Sequence, residues 1–279
     1  MLHDEHLKVI YFNQNSSDVF PNTDIKGGIA ITYRDVSQNF GAIDVFTSFP
    51  ELNSILKKIE AKNERSFSSI IYGQNTYQFS EKFHIDHPEA KEKMSKGHEK
   101  DVITNAFDTL NFAFYNVKPS DDHKYIQIAG RQNNERTTKF IRSSYIKSHE
   151  NLNKWKVFVP KANGTGAIGE VLSTPLIGAP LIGHTQTYIS IGSFNERVQA
   201  EAALKYIKSK FARTLLGILK ITQDNPAPKW KYVPIQDFTE KSDINWSKSI
   251  PEIDSQLYKK YELSQDEINF IEDNISPMK

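Results

Sequence analysis

The sequence has no cysteine among its 279 residues, which excludes a disulfide framework, a thiolate metal site and a cysteine nucleophile. It also lacks a long apolar run. The opening MLHDEHLKVIYF is charged, and its hydrophobic stretch is too short for a signal peptide or a membrane span, so the expected compartment is the cytoplasm. No GxSxG elbow and no P-loop occur, which removes the common serine-hydrolase and nucleotidase arrangements. No repeat of fixed period, no low-complexity linker and no βαβ alternation runs through the chain. What is present is ordinary globular composition, 38% hydrophobic, 25% charged and 11% aromatic. That length fits one large domain or two smaller ones and is a tight fit for a complete two-lobed enzyme.

Neither sign of charge dominates overall, with Lys+Arg 35 against Asp+Glu 34, but the charges are segregated. Lys124, Arg131, Arg136, Lys139, Arg142, Lys147, Lys154, Lys156 and Lys161 face only Glu135 and Glu150, nine bases against two acids. From Asp237 to Asp273 ten acids face four lysines. A basic middle with interleaved Tyr125, Phe140, Tyr145, Trp155 and Phe158, followed by an acidic tail, fits a nucleic-acid-facing surface with a solvated back. Solvated charge and core aromatics give the same pattern, so composition alone leaves both readings open.

Four Ser-x-x-Glu pairs, Ser48/Glu51, Ser193/Glu196, Ser249/Glu252 and Ser264/Glu267, precede apolar stripes of helical period and predict helix starts. The second opens one long helix through Ile218, and the last two make a helical pair. Alternation predicts strands over Ile29–Tyr33, Val157–Pro160 and Thr187–Ile191, while the Gly- and Pro-rich segment from Gly164 to Gly183 predicts loops. Ile70–Tyr72 is a strand or helix turn and Val102–Leu110 a helix. The expected class is therefore α+β.

Motifs that promise chemistry lose most of it in context. Gly164-Thr165-Gly166-Ala167-Ile168-Gly169 matches GxGxxG, yet the Glu-Val-Leu-Ser-Thr-Pro that follows cannot supply a helix N-terminus. The loop instead offers Lys161, Asn163 and Thr165 near backbone N–H groups suited to phosphate. Asp24-Ile25-Lys26 looks like half of a nuclease motif, but Asp18 is misplaced as its partner and a turn before Gly27-Gly28 explains it better. His84-x-x-His87 is followed by Pro88 and predicts no metal site.

The run Asp18-Val19-Phe20-Pro21 through Lys26-Gly27-Gly28 to Tyr33 resembles motif VIII of the γ-type adenine-N6 DNA methyltransferases of type II and IIG restriction–modification systems. Ile128–Arg131, Lys156–Gly164, Thr187–Gly192, Ile221–Asp224 and Tyr232–Pro234 resemble their target-recognition region, and Trp246–Ile250 and Tyr258–Tyr261 their tail. The resemblance implies catalytic-domain strands over 1–47, a mixed α/β target-recognition domain over 48–236 and a helical tail over 237–279. It also implies that Phe20, on a turn fixed by Pro21, stacks on an adenine swung out of the duplex. The family's S-adenosylmethionine loop and Asn/Asp-Pro-Pro-Tyr/Phe tetrad belong upstream of Leu2, and neither occurs in this sequence. S-adenosylmethionine is thus the cofactor of the complete enzyme and not of this chain, which is not expected to methylate alone.

These readings combine into a site-specific DNA-recognition module with double-stranded DNA as its partner. Lysines and arginines hold phosphate, among them Lys26, Lys139, Arg142, Lys154, Lys156 and Lys161, with Thr165 on the glycine-rich loop. Base edges fall to Arg131, Asn133, Asn134, Arg136 and Asn163. The alternatives are a subunit of a split methyltransferase completed by a chain carrying the catalytic half, signalled by an exposed apolar edge near Val9–Phe12 and Ile29–Tyr33, a nuclease using Asp24 and Lys26, or an inactive remnant.

Overall fold

The computed structural model describes residues 1–13, 15–23, 25, 29–43, 45–163, 168–169, 171–220 and 222–278. The chain forms two compact units, Met1–Lys57 and Lys58–Lys279. It mixes helices and strands in small sheets, an α+β fold. Among the described residues no helix is long and apolar enough to cross a membrane.

In the first unit β1 (Leu7–Asn13) and β2 (Ile29–Arg34) pair antiparallel, with a bulge between Val9 and Tyr11. The loop between them is stitched by one hydroxyl, since Ser16 Oγ donates to the Thr23 carbonyl (3.1 Å) and accepts from the Ile25 N–H (2.8 Å). Helix α1 (Pro50–Ala61) begins at Pro50, where a missing N–H costs nothing.

In the second unit the chain continues through β3 (Ile71–Tyr72), α2 (Glu81–Asp86), α3 (Ala106–Thr109), β4 (Tyr125–Gln132), β5 (Glu135–Arg142), β6 (Trp155–Pro160), β7 (Leu176–Gly178), β8 (Ile182–His184) and β9 (Tyr188–Phe194). Helices α4 (Arg197–Lys208), α5 (Lys210–Leu219), α6 (Ile250–Lys260) and α7 (Gln265–Asn274) follow. One sheet has the order β3-β9-β6-β7, all antiparallel, and the other β5-β4-β8, with β8 parallel to β4.

Pleat phase decides which side chain enters which layer. In β4 and β5, Ile126, Ile128 and Ile141 share one face and join the aromatic core of Phe79, Phe83, Phe107 and Tyr145. Ala129, on the opposite face, meets Phe158 of β6 and Tyr188 of β9, so the two sheets pack against each other there. Val157, Val159, Ile189 and Ile191 occupy the other face of the four-stranded sheet and are buried on the side of α4. Gly130 permits close approach, because a Cβ there would lie 2.7 Å from Thr185 Cγ2 and 2.9 Å from the Phe107 ring.

Local expectations fare unevenly. Ser249/Glu252 and Ser264/Glu267 form capping boxes at the starts of α6 and α7. The box expected at Ser193/Glu196 sits three residues later, with Glu196 as N-cap and Gln199 as its partner. The single long helix expected beyond it is two, broken at Ser209, whose hydroxyl accepts from Ala212 N–H and starts α5. The segment read as loops carries two short strands, β7 and β8, and the helix over Val102–Leu110 shrinks to the four residues of α3.

Candidate nucleic-acid interface

The β4–β5 hairpin turns on Asn133 and Asn134, whose φ values of 49° and 65° are both left-handed, the backbone a two-residue hairpin turn needs. Asparagine tolerates that region, which is why the Asn-Asn pair can close the ladder at Gln132 and Glu135. The next rung in from the turn sets Arg131 directly opposite Arg136. Both arginines and both asparagines are exposed, so four of the five side chains expected to read bases meet at one hairpin tip.

Each guanidinium is oriented by backbone. Arg131 Nε and Nη2 donate to the Asn134 carbonyl at 3.2 and 2.7 Å. Arg136 donates from Nη1 to Thr174 O at 2.8 Å and from Nη2 to Ser173 O at 3.4 Å, and its guanidinium lies 5.9 Å from the Tyr188 ring centroid. Two of the five N–H groups on each arginine are used in these bonds, leaving forked donors for a ligand. Like charges directly opposite on a ladder destabilise it, so an anion between them is favoured electrostatically.

Other expected contacts are placed elsewhere. Lys139 pairs with Ile128 on the core face and is buried, its ammonium 5.7 Å from the Phe107 ring, which corrects the expectation that it holds phosphate. Lys156 is corrected likewise. It is fully buried between the sheets, donates to the carbonyls of Leu152 (3.2 Å), Ala179 (3.3 Å) and Ile182 (2.9 Å), and burial pushes its pKa down to about 7. Asn163 is buried too, donating to Val171 O at 2.9 Å and accepting from the Ser173 N–H, so it organises a loop and presents no base-reading edge. Arg142 is on the tip arginines' face but six residues away along β5, about 20 Å at strand rise, where Nη1 donates to Tyr145 Oη at 3.2 Å. Lys154 and Lys161 are half-buried, with Lys154 Nζ donating to Asn195 Oδ1 at 2.6 Å. Lys26, Thr165 and Asp24 lie outside the described residues, as does most of the glycine-rich loop.

In the first unit Phe20 is 53% exposed at the end of the Ser16-stitched loop, and Pro21 is exposed beside it. Asp18 accepts from Asn15 Nδ2 (2.8 Å) and Asn13 Nδ2 (3.4 Å), a turn-holding role. Among the described residues, ten of the fifteen exposed large hydrophobics fall in this unit, including Ile10, Tyr11, Ile31 and Tyr33 of the hairpin.

A polar chain with no local signal in the sequence runs between the sheets. His184 Nδ1 contacts the Thr185 carbonyl at 2.8 Å; a carbonyl only accepts, so Nδ1 carries the proton. Nε2 then accepts from Ser190 Oγ at 3.2 Å, Ser190 accepts from Asn151 Nδ2 at 3.0 Å, and Asn151 Oδ1 accepts from Tyr77 Oη at 2.6 Å. All four residues are buried, so this serine–histidine pair holds the layers together and faces no substrate. Among the described residues no cluster of three or more His, Asp or Glu is arranged to hold a metal.

No protein-family model matches the chain, and no curated protein matches it significantly.

Proposed function

We propose that this chain is the site-specific DNA-recognition module of an adenine-N6 DNA methyltransferase of the restriction–modification kind. The observation that carries the reading is the hairpin tip, where Arg131, Asn133, Asn134 and Arg136 are exposed together at the two-stranded end of β4 and β5. A ribbon of this width enters a major groove, where arginine forks pair with guanine and asparagine amides with adenine. Non-specific affinity comes from phosphate contacts by exposed lysines and arginines, so binding falls with salt.

The same module serves a split enzyme in a second reading, favoured by the apolar surface of the first unit. A two-stranded hairpin with Tyr11, Ile31 and Tyr33 exposed is marginal by itself and gains stability from neighbouring strands. The partner chain supplies S-adenosylmethionine and the catalytic tetrad, while exposed Phe20 supplies the stacking face for the extruded adenine.

The test is titration of labelled duplex with the wild-type chain and with Arg131→Ala/Arg136→Ala at two salt concentrations. The proposal expects salt-sensitive duplex binding that the double variant weakens by a hundredfold or so, from roughly 1–3 kcal/mol per arginine. Equal affinity of the two proteins overturns the assignment of the tip.

A further inference from the structure

The two arginines of the hairpin tip are held in different ways. Arg131 rests on the carbonyl of Asn134, three residues along its own hairpin. Arg136 rests on carbonyls far along the chain, Thr174 O at 2.8 Å and Ser173 O at 3.4 Å. Ser173 and Thr174 are exposed and lie outside any helix or strand, in the connection ahead of β7. A carbonyl in an irregular surface segment is ordinarily mobile, and a mobile carbonyl does not orient a guanidinium.

This segment is pinned from below by Asn163. Its Nδ2 donates to Val171 O at 2.9 Å and its Oδ1 accepts from the Ser173 N–H. One amide that donates to residue 171 and accepts from residue 173 bonds the segment as a residue of a parallel ladder would. Buried Pro175 then biases Thr174 to extended backbone. The anchor is itself seated. Asn163 is 5% exposed, its N–H donates to Gln223 O at 2.7 Å, and its carbonyl accepts from Lys220 Nζ at 2.8 Å. The path therefore runs from a buried amide through 171–174 to the exposed fork of Arg136, and Arg131 has no part in it.

We infer that Asn163 is a positioning residue for Arg136, fixing the two carbonyls that aim its guanidinium, so that a buried side chain touching no base sets the affinity of the tip. The effect on DNA rests on the reading of the tip as a duplex-binding surface; the hold on Arg136 does not. An arginine already oriented loses less side-chain freedom on binding, and its remaining N–H donors keep a fixed direction for a base edge or phosphate.

The test uses the full chain labelled with 15N-arginine, with Arg136→Lys identifying the Arg136 signals. The wild type is expected to give separate Nη resonances for Arg136, the mark of hindered rotation. Asn163→Ala is expected to merge them and to leave the Arg131 signals unchanged. In duplex titrations Asn163→Ala is expected to weaken binding about fivefold, the cost of ordering a released arginine, and to change the affinity of Arg136→Ala by less than about twofold. A second variant, Ser173→Gly/Thr174→Gly, alters only exposed side chains, loosens the same segment and leaves Asn163 in place. It is expected to reproduce both effects and carries the test if Asn163→Ala does not fold. Unchanged Arg136 resonances in either folded variant, disturbance of both arginines alike, or equal weakening with and without Arg136 overturns the inference. A wild-type chain that binds no duplex overturns the recognition reading instead, and the resonances still decide the hold on Arg136.

Discussion

Arg131 and Arg136 face each other across the last rungs of the β4–β5 hairpin, each held by a different backbone carbonyl, Asn134 O at 2.7 Å and Thr174 O at 2.8 Å. Two exposed guanidinium groups in register repel each other, so the arrangement is poorer for the isolated fold than a pairing of opposite charge. Arg131→Ala is therefore expected to leave the melting temperature unchanged or slightly raised while lowering duplex affinity about tenfold or more. Thermal melting alongside DNA titration measures both; a parallel loss of stability and binding would mean that the arginine is structural.

The fate of the lysines supplies a second prediction. Lys156→Met removes the one ammonium that joins the Leu152, Ala179 and Ile182 carbonyls and is expected to destabilise by roughly 1–3 kcal/mol, with the salt dependence of DNA binding unchanged. Lys161→Ala, at a half-buried position, is expected to do the reverse, with small effects on stability and a reduction of about one in the log–log salt slope. Denaturant melts and binding at several salt concentrations separate the two. An unchanged melt for Lys156→Met contradicts the intersheet role.

Ser190 joins His184 to Asn151 between the sheets. Ser190→Ala removes a donor to His184 Nε2 and an acceptor for Asn151 Nδ2, both buried, and is expected to cost roughly 2–4 kcal/mol. A chemical denaturation curve reads this directly, and a loss below about 0.5 kcal/mol would show that the chain of bonds contributes little.

Stability against pH follows from two groups with opposite signs. Burial raises the Asp254 pKa to about 6, although its carboxylate accepts from the Lys210 and Phe211 N–H groups at the start of α5. The folded state binds that proton more tightly than the unfolded one, so its contribution to stability falls as pH rises from about 4 to about 6. Burial lowers the His184 pKa to about 4, and there the unfolded state binds the proton more tightly, so its contribution rises with pH from about 4 to 6.5. Asp254→Asn is expected to steepen the rise of stability between pH 4 and 6 relative to the wild type. Denaturation at half-unit pH steps checks it, and parallel curves for the two proteins would contradict the burial of an ionising Asp254.

How far the sequence carried these conclusions differs from residue to residue. The capping boxes of α6 and α7 were readable because a cap is a local hydrogen-bond arrangement. Breaking the long helix at Ser209 was not, since the apolar stripe of α4 continues in phase into α5 and only the side-chain cap distinguishes them. Arg131, Asn133, Asn134 and Arg136 were picked out by type and proximity, while the hairpin that gathers them was missed, although Asn-Asn between two eight-residue strands is a turn signal. Lys139 and Lys156 read as phosphate-holding charge in the sequence because a count of charge carries no pleat phase. Ile128 opposite Lys139, and Phe158 two residues after Lys156, put each lysine on an inward face. The Tyr77–Asn151–Ser190–His184 chain joins residues more than a hundred positions apart, and no local pattern announces such an assembly.

The central claim is that this chain reads a DNA sequence, and selection from a pool of random duplexes tests it most directly. The purified chain is mixed with the pool at two salt concentrations, and the retained fraction is sequenced. The account predicts an enriched motif containing adenine, retention that falls steeply with salt, and loss of enrichment in Arg131→Ala/Arg136→Ala. Absence of retention at low salt, or retention with no enriched motif, would contradict it.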